Sequence, residues 1–597
     1  MKLKYTILPL IFILTACNVD RIEPSESLNE SSVNSEQLYE SSSSEVLVPS
    51  EPSLVDPTDE PTDEPSTPVV PSESEPETPS ASEPEQSSEP SEVPSSEPTD
   101  ESTEEPSEVP SIPSDEPSEP TDNIIDVSEK EYYKSLVNRS NLIYSDDFVN
   151  DPTHDVKAIE IFQLNDTHGA YYDEEEIVGI SRVADCIKEN TVDPYSVVKI
   201  ANGDMLQGTA FSNMLLGEPG IAALNELNFD AFVIGNHEFD WSIDNLSVYK
   251  DGDYSNGELD CPFLGANILN GDNERPSWIE PYTVVEKGNV KVGIIGVIGN
   301  GLESSISKVA LGKYHFSNTV DAVNKYSKIL LEEENVDIII VGDHNHSQYN
   351  NQQYVDNSEV DAIINGHDHW RVEETVNRFD GKTIPVIESN TKNESIGKIT
   401  LNLDSNKDMS SYSMRHYYPS SYDEDLNMKA LMDVYYKVTG EYQNTVIGYY
   451  EGGMDKATIG ISTCTYIADK YDADIAMMNT GGVRSSILSS NITNGLIYEA
   501  LPFDNELYIA TLTGSELKKI TNGSGYYYNN SGIAMGTTVL PSRIETSKTY
   551  KVVCVDYVAT KTYFQNFFNE EHGLIKTGDY IRDCALENIK INYPVNS

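Results

Sequence analysis

The stretch Phe232-Val233-Ile234-Gly235-Asn236-His237-Glu238-Phe239-Asp240 decides how the chain is read. A short apolar run closing on glycine reads as a buried strand that delivers polar side chains into the turn beyond it. Four other stretches repeat the pattern. Ile159 to Leu164 leads into Asn165-Asp166-Thr167-His168, and Val197 to Asn202 leads into Gly203-Asp204. Asp337 to Gly342 leads into Asp343-His344, and Ala362 to Asn365 leads into Gly366-His367-Asp368-His369. Ligands of open α/β sheets bind at the carboxyl ends of the strands. The spacing therefore predicts five strand ends converging on one rim rich in Asp, Asn and His.

These residue types define a chemistry. Carboxylate and amide oxygens together with imidazole nitrogens bind hard-to-borderline divalent cations. The rim offers more donors than one ion needs, and two ions sharing a carboxylate is the arrangement of phosphatases and nucleases. About half of the ten histidines fall in these motifs, which a random scatter would not give. The chemistry implied is phosphoester hydrolysis.

The rest of the 597-residue chain organises around that rim. Residues 151–404 read as alternating strands and helices, with Val290 to Val297 as a further buried strand. Helical spacing appears over Ile177 to Lys188, Ile221 to Leu227 and Val320 to Glu333, which predicts a layered α/β domain. Residues 405–450 read as a connector with a helix over Asp425 to Tyr442, and 451–597 as a second α/β domain. The net charge of -61 argues against a nucleic-acid polymer as partner. Cys186, Cys261, Cys464, Cys554 and Cys584 show no paired spacing and read as small buried hydrophobes.

The amino-terminal part is of another kind. Residues 1–17 carry Lys2, Lys4 and a short apolar run, the pattern of a signal peptide. Leu14-Thr15-Ala16-Cys17 resembles a bacterial lipobox, which implies cleavage before Cys17 and lipidation of its sulfur. From Asn18 to about Asn123 the chain is Ser, Glu and Pro in loose repetition and holds about half the excess negative charge. Such a segment cannot bury enough surface to offset its ordering entropy. A disordered linker is therefore placed at 18–150, a spacer between a membrane and the folded domains.

In order along the chain, Asp166-x-His168, Gly203-Asp204, Gly235-Asn236-His237-Glu238, His344 and Gly366-His367-x-His369 resemble the calcineurin-like metallophosphoesterases. Asn479-Thr480-Gly481-Gly482-Val483-Arg484 and Leu501-Pro502-Phe503-Asp504-Asn505 resemble the second domain of the 5′-nucleotidase branch. The resemblance implies a four-layer α/β/β/α sandwich followed by an α/β 5′-nucleotidase C-terminal domain. It implies two divalent metal ions, with Zn, Mn, Co, Mg and Ca not distinguished. Asp166, His168 and His369 would hold the first, Asn236, His344 and His367 the second, and Asp204 would bridge them. His237, oriented by Asp240, would be the catalytic pair. Glu238 is left a hydrogen-bonding or surface role, and His346 a structural one. Arg484 would clamp phosphate, Asn479 would bond the base, Phe503 would stack on it, and Tyr563 or Phe564 would close its other side. The sequence departs from the family's pattern in two places. Thr560-Lys561-Thr562 replaces a glycine-rich turn, and an arginine near the start of the second domain is absent, with Lys456 as a substitute. The activity implied is a 5′-nucleotidase, monomeric and anchored on the outer face of a bacterial membrane, acting on small nucleotides. The alternatives are a 2′,3′-cyclic phosphodiesterase, a nucleotide-sugar hydrolase, a thiosulfohydrolase-like enzyme, or a non-catalytic adhesion lipoprotein.

Overall fold

The structure, a computed structural model, describes residues 125–595 apart from 146–147, 175–176, 522–532, 537–542 and 562–563. Cys17 and Tyr563 lie outside the described residues.

Two sheets form the catalytic lobe. The first has seven strands in the order Met409–Tyr417, Ile396–Leu403, Ala158–Leu164, Val197–Asn202, Ala231–Val233, Phe263–Leu264, Ile279–Glu280. The second has six, in the order Val372–Asn377, Thr383–Glu388, Ala362–Asn365, Ile338–His344, Val290–Ile298, Tyr282–Lys287. The central strands of both run parallel. Parallel strands buried on both faces need continuous apolar runs, which is why these segments read so clearly.

Alternation along the first sheet divides its side chains between two cores. Ile159, Ile161, Val198 and Ile200 pack with Ile294, Ile338 and Ile363 of the second sheet. Phe162 and Leu164 pack the other way, with Ile180 and Val183 of the helix Ile180–Glu189 and Ile221 of the helix Glu218–Glu226. Sheet on sheet with helices outside is the expected layered sandwich. The second lobe has its own core and a five-stranded sheet ordered Ile533–Gly536, Ile475–Asn479, Thr549–Val555, Glu506–Thr513, Ile575–Tyr580. The five internal cysteines are buried and form no disulfide among the described residues.

Two boundaries move. The catalytic sheet does not end at residue 404, because Met409–Tyr417 pairs antiparallel with Ile396–Leu403 as an edge strand. The helix Leu426–Gln443, capped by the Asp425 carboxylate, buries Met428, Leu431, Met432 and Tyr435 in the catalytic core. The linker likewise ends before residue 150. Ser128–Ser135 is helical, and Lys130 and Lys134 are 7% and 2% exposed. This segment is held by ion pairs with Asp504 and Glu218, remote in sequence, so its polar composition hid its order. No helix among the described residues is long and apolar enough to cross a membrane.

Candidate metal centre and substrate cleft

The five strand ends meet. Asp166, His168 and His369 form one cluster of potential metal donors, and Asp204, His344 and His367 form another. A third, of His168, Asp204 and His237, sits between them, so Asp204 reaches both sides. Asp166 Oδ1 lies 3.3 Å from His369 Nε2 and 3.9 Å from His168 Nε2, and the two Nε2 atoms are 3.2 Å apart. Donors about 2.1 Å from one ion at tetrahedral angles stand about 3.4 Å from each other, so the spacing suits a shared cation.

The hydrogen bonds set the tautomers. His168 Nδ1 faces the Gln207 carbonyl at 3.1 Å and His344 Nδ1 the Asn202 carbonyl at 2.8 Å. A carbonyl only accepts, so each Nδ1 carries the proton and each Nε2 is left with a lone pair aimed into the cluster. Asp166 Oδ1, Asn236 Oδ1, His344 Nε2 and His367 Nδ1 are buried without a hydrogen-bond partner. Orphaned buried polar atoms are costly, and four on expected ligands fit a bound cation. Burial alone would lower the His344 pKa, but the Asp204 and Asp166 carboxylates raise it to about 10. A cation would take the place of that proton.

The backbone is bent to bring these groups together. Asp166, His168, Asp204, His367 and His369 all have positive φ, between 47° and 78°, a region that non-glycine residues seldom enter. Gly203 has φ 84°, and a Cβ there would stand 2.3 Å from His344 Nδ1. The turn is held from beneath by Glu238, which is fully buried rather than on the surface. Its Oε2 accepts from the Asp204 and Gly235 amides, both at 2.8 Å. Its Oε1 accepts from Met205 at 2.8 Å and Leu206 at 3.3 Å. Burial and the Asp204 charge push the Glu238 pKa up to about 7, and the backbone donors oppose that push.

His237 stands at the mouth. Its Nδ1 is 2.7 Å from Asp240 Oδ2, which leaves Nε2 facing the cleft, 3.9 Å from Asp204 Oδ2. Burial would lower its pKa, but the Asp240 and Asp204 carboxylates outweigh that and hold it above the ordinary value. His346 lies apart from the clusters, 3.8 Å from Glu388 and 3.9 Å from Asp368.

A cavity of about 330 Å³ opens over this rim, and both lobes line it. Asp204, Asn236, His237, Asp240, His367 and His369 form one wall, and Asn479, Arg484 and Phe503 the other. The Phe503 ring stacks beside His237, centroids 5.5 Å apart and planes at 19°, and the Arg484 guanidinium lies 5.9 Å over that ring. Phe564 does not close the other side: it is 1% exposed, in the core with Phe568. Tyr557 lines the cavity instead, its hydroxyl donating to the Ser304 carbonyl at 3.1 Å. Lys456 is exposed at the start of the helix Lys456–Lys470, outside the cavity lining. Sequence reasoning missed Tyr557, Asp556 and Ile125, which also line the cavity. The Val555-Asp556-Tyr557 strand end repeats the signal that marked the other sites, and could have shown the first two.

Comparison with known proteins agrees with this geometry. The calcineurin-like phosphoesterase family matches residues 159–371, and the 5′-nucleotidase C-terminal domain matches residues 450–535. An apyrase of Tabanus yao is 26% identical over 412 residues, 60% of this chain and 72% of that protein. A 5′-nucleotidase of Vibrio parahaemolyticus is 23% identical over 473 residues, 67% of this chain and 81% of that protein. The crystal structure of a 5′-nucleotidase precursor from Thermus thermophilus shares the fold, with a TM-score of 0.63 at 20% identity, over 74% of this chain and 97% of that one. The fold and the site define a calcineurin-like phosphoesterase, one of a class of metal-dependent phosphoester hydrolases, with candidate metal donors clustered among the described residues. With its second domain, the chain belongs to the 5′-nucleotidase family.

Proposed function

We propose that this chain is a dinuclear 5′-nucleotidase that releases nucleoside and phosphate outside a bacterial cell, tethered through lipid on Cys17. The observation that carries the reading is one cavity shared by the metal donors and by Asn479, Arg484 and Phe503. The apyrase and 5′-nucleotidase relatives support a nucleotide as substrate.

Asp166, His168 and His369 would hold one ion and Asn236, His344 and His367 a second, with Asp204 within reach of both donor sets. Bound divalent ions supply an acidified water and neutralise phosphoryl charge. The residues of the chain do the rest. Asp240 fixes the His237 tautomer, and the imidazolium Nε2–H donates to a phosphoryl or leaving oxygen. Arg484 presents a planar fork of donors to phosphate. Phe503 offers an aromatic face to the base, and Asn479 a side-chain amide. The lobes together bury the leaving group while the metal donors stay fixed to the sheets.

The test is a substrate panel on metal-loaded protein: nucleoside 5′-monophosphates, di- and triphosphates, a 2′,3′-cyclic nucleotide, a nucleotide sugar and thiosulfate esters. Hydrolysis of 5′-nucleotides that vanishes in Asp204→Ala is expected. Equal activity in that variant would refute the mechanism, and preference for another panel member would replace the substrate. Fewer than one ion per chain after loading would favour the non-catalytic adhesion reading.

A further inference from the structure

We propose that the segment from Ile125 to Asn141 is part of the substrate site, with Ile125 as a wall of the cavity and Lys130 as the residue that positions the Phe503 loop. This rests on the nucleotide reading above.

The segment is anchored firmly to the catalytic lobe. Arg139 donates to both Glu218 oxygens, at 2.9 and 2.6 Å. Lys134 Nζ lies 4.0 Å from the same carboxylate and 3.3 Å from the Tyr249 hydroxyl. Asn245 Nδ2, just beyond Asp240 in the chain, donates to the Ile125 carbonyl at 3.2 Å and to the Trp241 carbonyl at 2.6 Å. Ile125 thereby lines the same cavity as His237 and Asp240.

From this anchorage the helix reaches the second lobe. Lys130 Nζ lies 2.8 Å from Asp504 Oδ2, the two side chains 9% and 11% exposed. Asp504 follows Phe503 directly and is also paired with Arg582. Arg582 Nη1 donates to the Pro502 carbonyl at 3.1 Å, and Asn213 of the catalytic lobe donates to the same carbonyl at 3.2 Å. The loop that carries Phe503 is therefore held from three sides, and Lys130 is the hold supplied by the amino-terminal segment. Tyr133 adds apolar contact where Ala210 and Met214 of the catalytic lobe meet Tyr498 of the second. A ring that must stack on a ligand keeps its position only if its supports are fixed, and a buried ion pair fixes direction as well as distance.

The experiment uses the full, metal-loaded chain and compares a nucleoside 5′-monophosphate with p-nitrophenyl phosphate, which carries no base. Lys130→Met leaves Asp504 paired with Arg582, so the loop loses one hold and no charge is stranded. KM for the nucleotide is expected to rise at least about fivefold, with kcat on both substrates and KM for p-nitrophenyl phosphate within about twofold. Lys130→Arg should restore the nucleotide KM. Ile125→Ala, away from every ion pair, should raise the nucleotide KM about threefold and serves if Lys130→Met fails to fold. An unchanged nucleotide KM in both variants overturns the inference. So does an equal loss on both substrates, which marks a merely structural segment. Should the unaltered chain turn over p-nitrophenyl phosphate but no nucleotide, the nucleotide reading falls by itself. The same KM comparison with the bulkiest phosphoester of the panel then decides the role of the segment.

Discussion

Glu238→Gln isolates what holds the metal rim in shape. The carboxylate accepts four backbone N–H groups, two on each oxygen, from Asp204, Gly235, Met205 and Leu206. Glutamine keeps the shape but turns one oxygen into an amide donor, so whichever way it sits, two buried N–H groups face another N–H. Each unsatisfied buried donor costs about 1–3 kcal/mol, so two cost roughly 2–6 kcal/mol. Losing the buried charge, whose burial lifts the Glu238 pKa from 4.5 to about 7, offsets about 3 kcal/mol of this at pH 8, and a net loss of up to about 3 kcal/mol is expected. Two of the four amides, Asp204 and its neighbour Met205, belong to the turn that aims the Asp204 carboxylate, which two of the donor clusters share. Metal affinity should therefore fall about 10- to 100-fold, as it does when an outer support of a ligand is lost. Denaturant unfolding of metal-free protein at pH 8 reads the first effect, and metal titration of the folded protein reads the second. An unfolding free energy within about 0.5 kcal/mol of the parent, with unchanged metal affinity, would show that Glu238 is not what holds this turn.

Gly203→Ala forces a side chain at φ 84° against His344 and should cost at least about 2 kcal/mol in denaturant unfolding; a neutral result would mean the two strand ends are not in contact. Asp556 has its pKa raised by burial from 3.8 to about 7, so its contribution is complete below pH 3.8 and is lost as pH rises through about 7. Between pH 5 and 7.5 the parent should lose about 2–3 kcal/mol relative to Asp556→Asn, and parallel pH profiles of unfolding would contradict this. Phe503→Ala should raise KM about tenfold for nucleotides and leave p-nitrophenyl phosphate unaffected; equal losses on both would remove the ring from base binding.

The sheets were legible because a strand covered on both faces must be apolar throughout, and Val197–Asn202 and Ala362–Asn365 begin and end where their composition says. The donors were legible because Asp, Asn and His recur just past such runs. What stayed hidden depends on partners far along the chain. Met409–Tyr417 carries Ser410, Ser411 and Ser413 and buries little, so only its pairing with Ile396–Leu403 reveals a strand. Lys130, Lys134 and Arg139 read as solvated charge until Asp504 and Glu218 appear beside them. Phe564 is buried in the core and Tyr557 lines the cavity, a difference that apolar and aromatic composition alone does not reveal. Glu238 had no visible task because backbone amides leave no mark in a sequence.

The left-handed backbone at Asp166, His168, Asp204, His367 and His369 has a consequence for how this enzyme can be stabilised. Conformations of this kind cost about 1–3 kcal/mol each and persist because the rest of the molecule enforces them. Replacing the part-exposed His369 with glycine would relax that local penalty while removing a proposed metal donor. In chelator, such an inactive protein should unfold later than the parent, and added metal should reverse the order. Screens that select for heat resistance without metal would then drift toward dead enzymes.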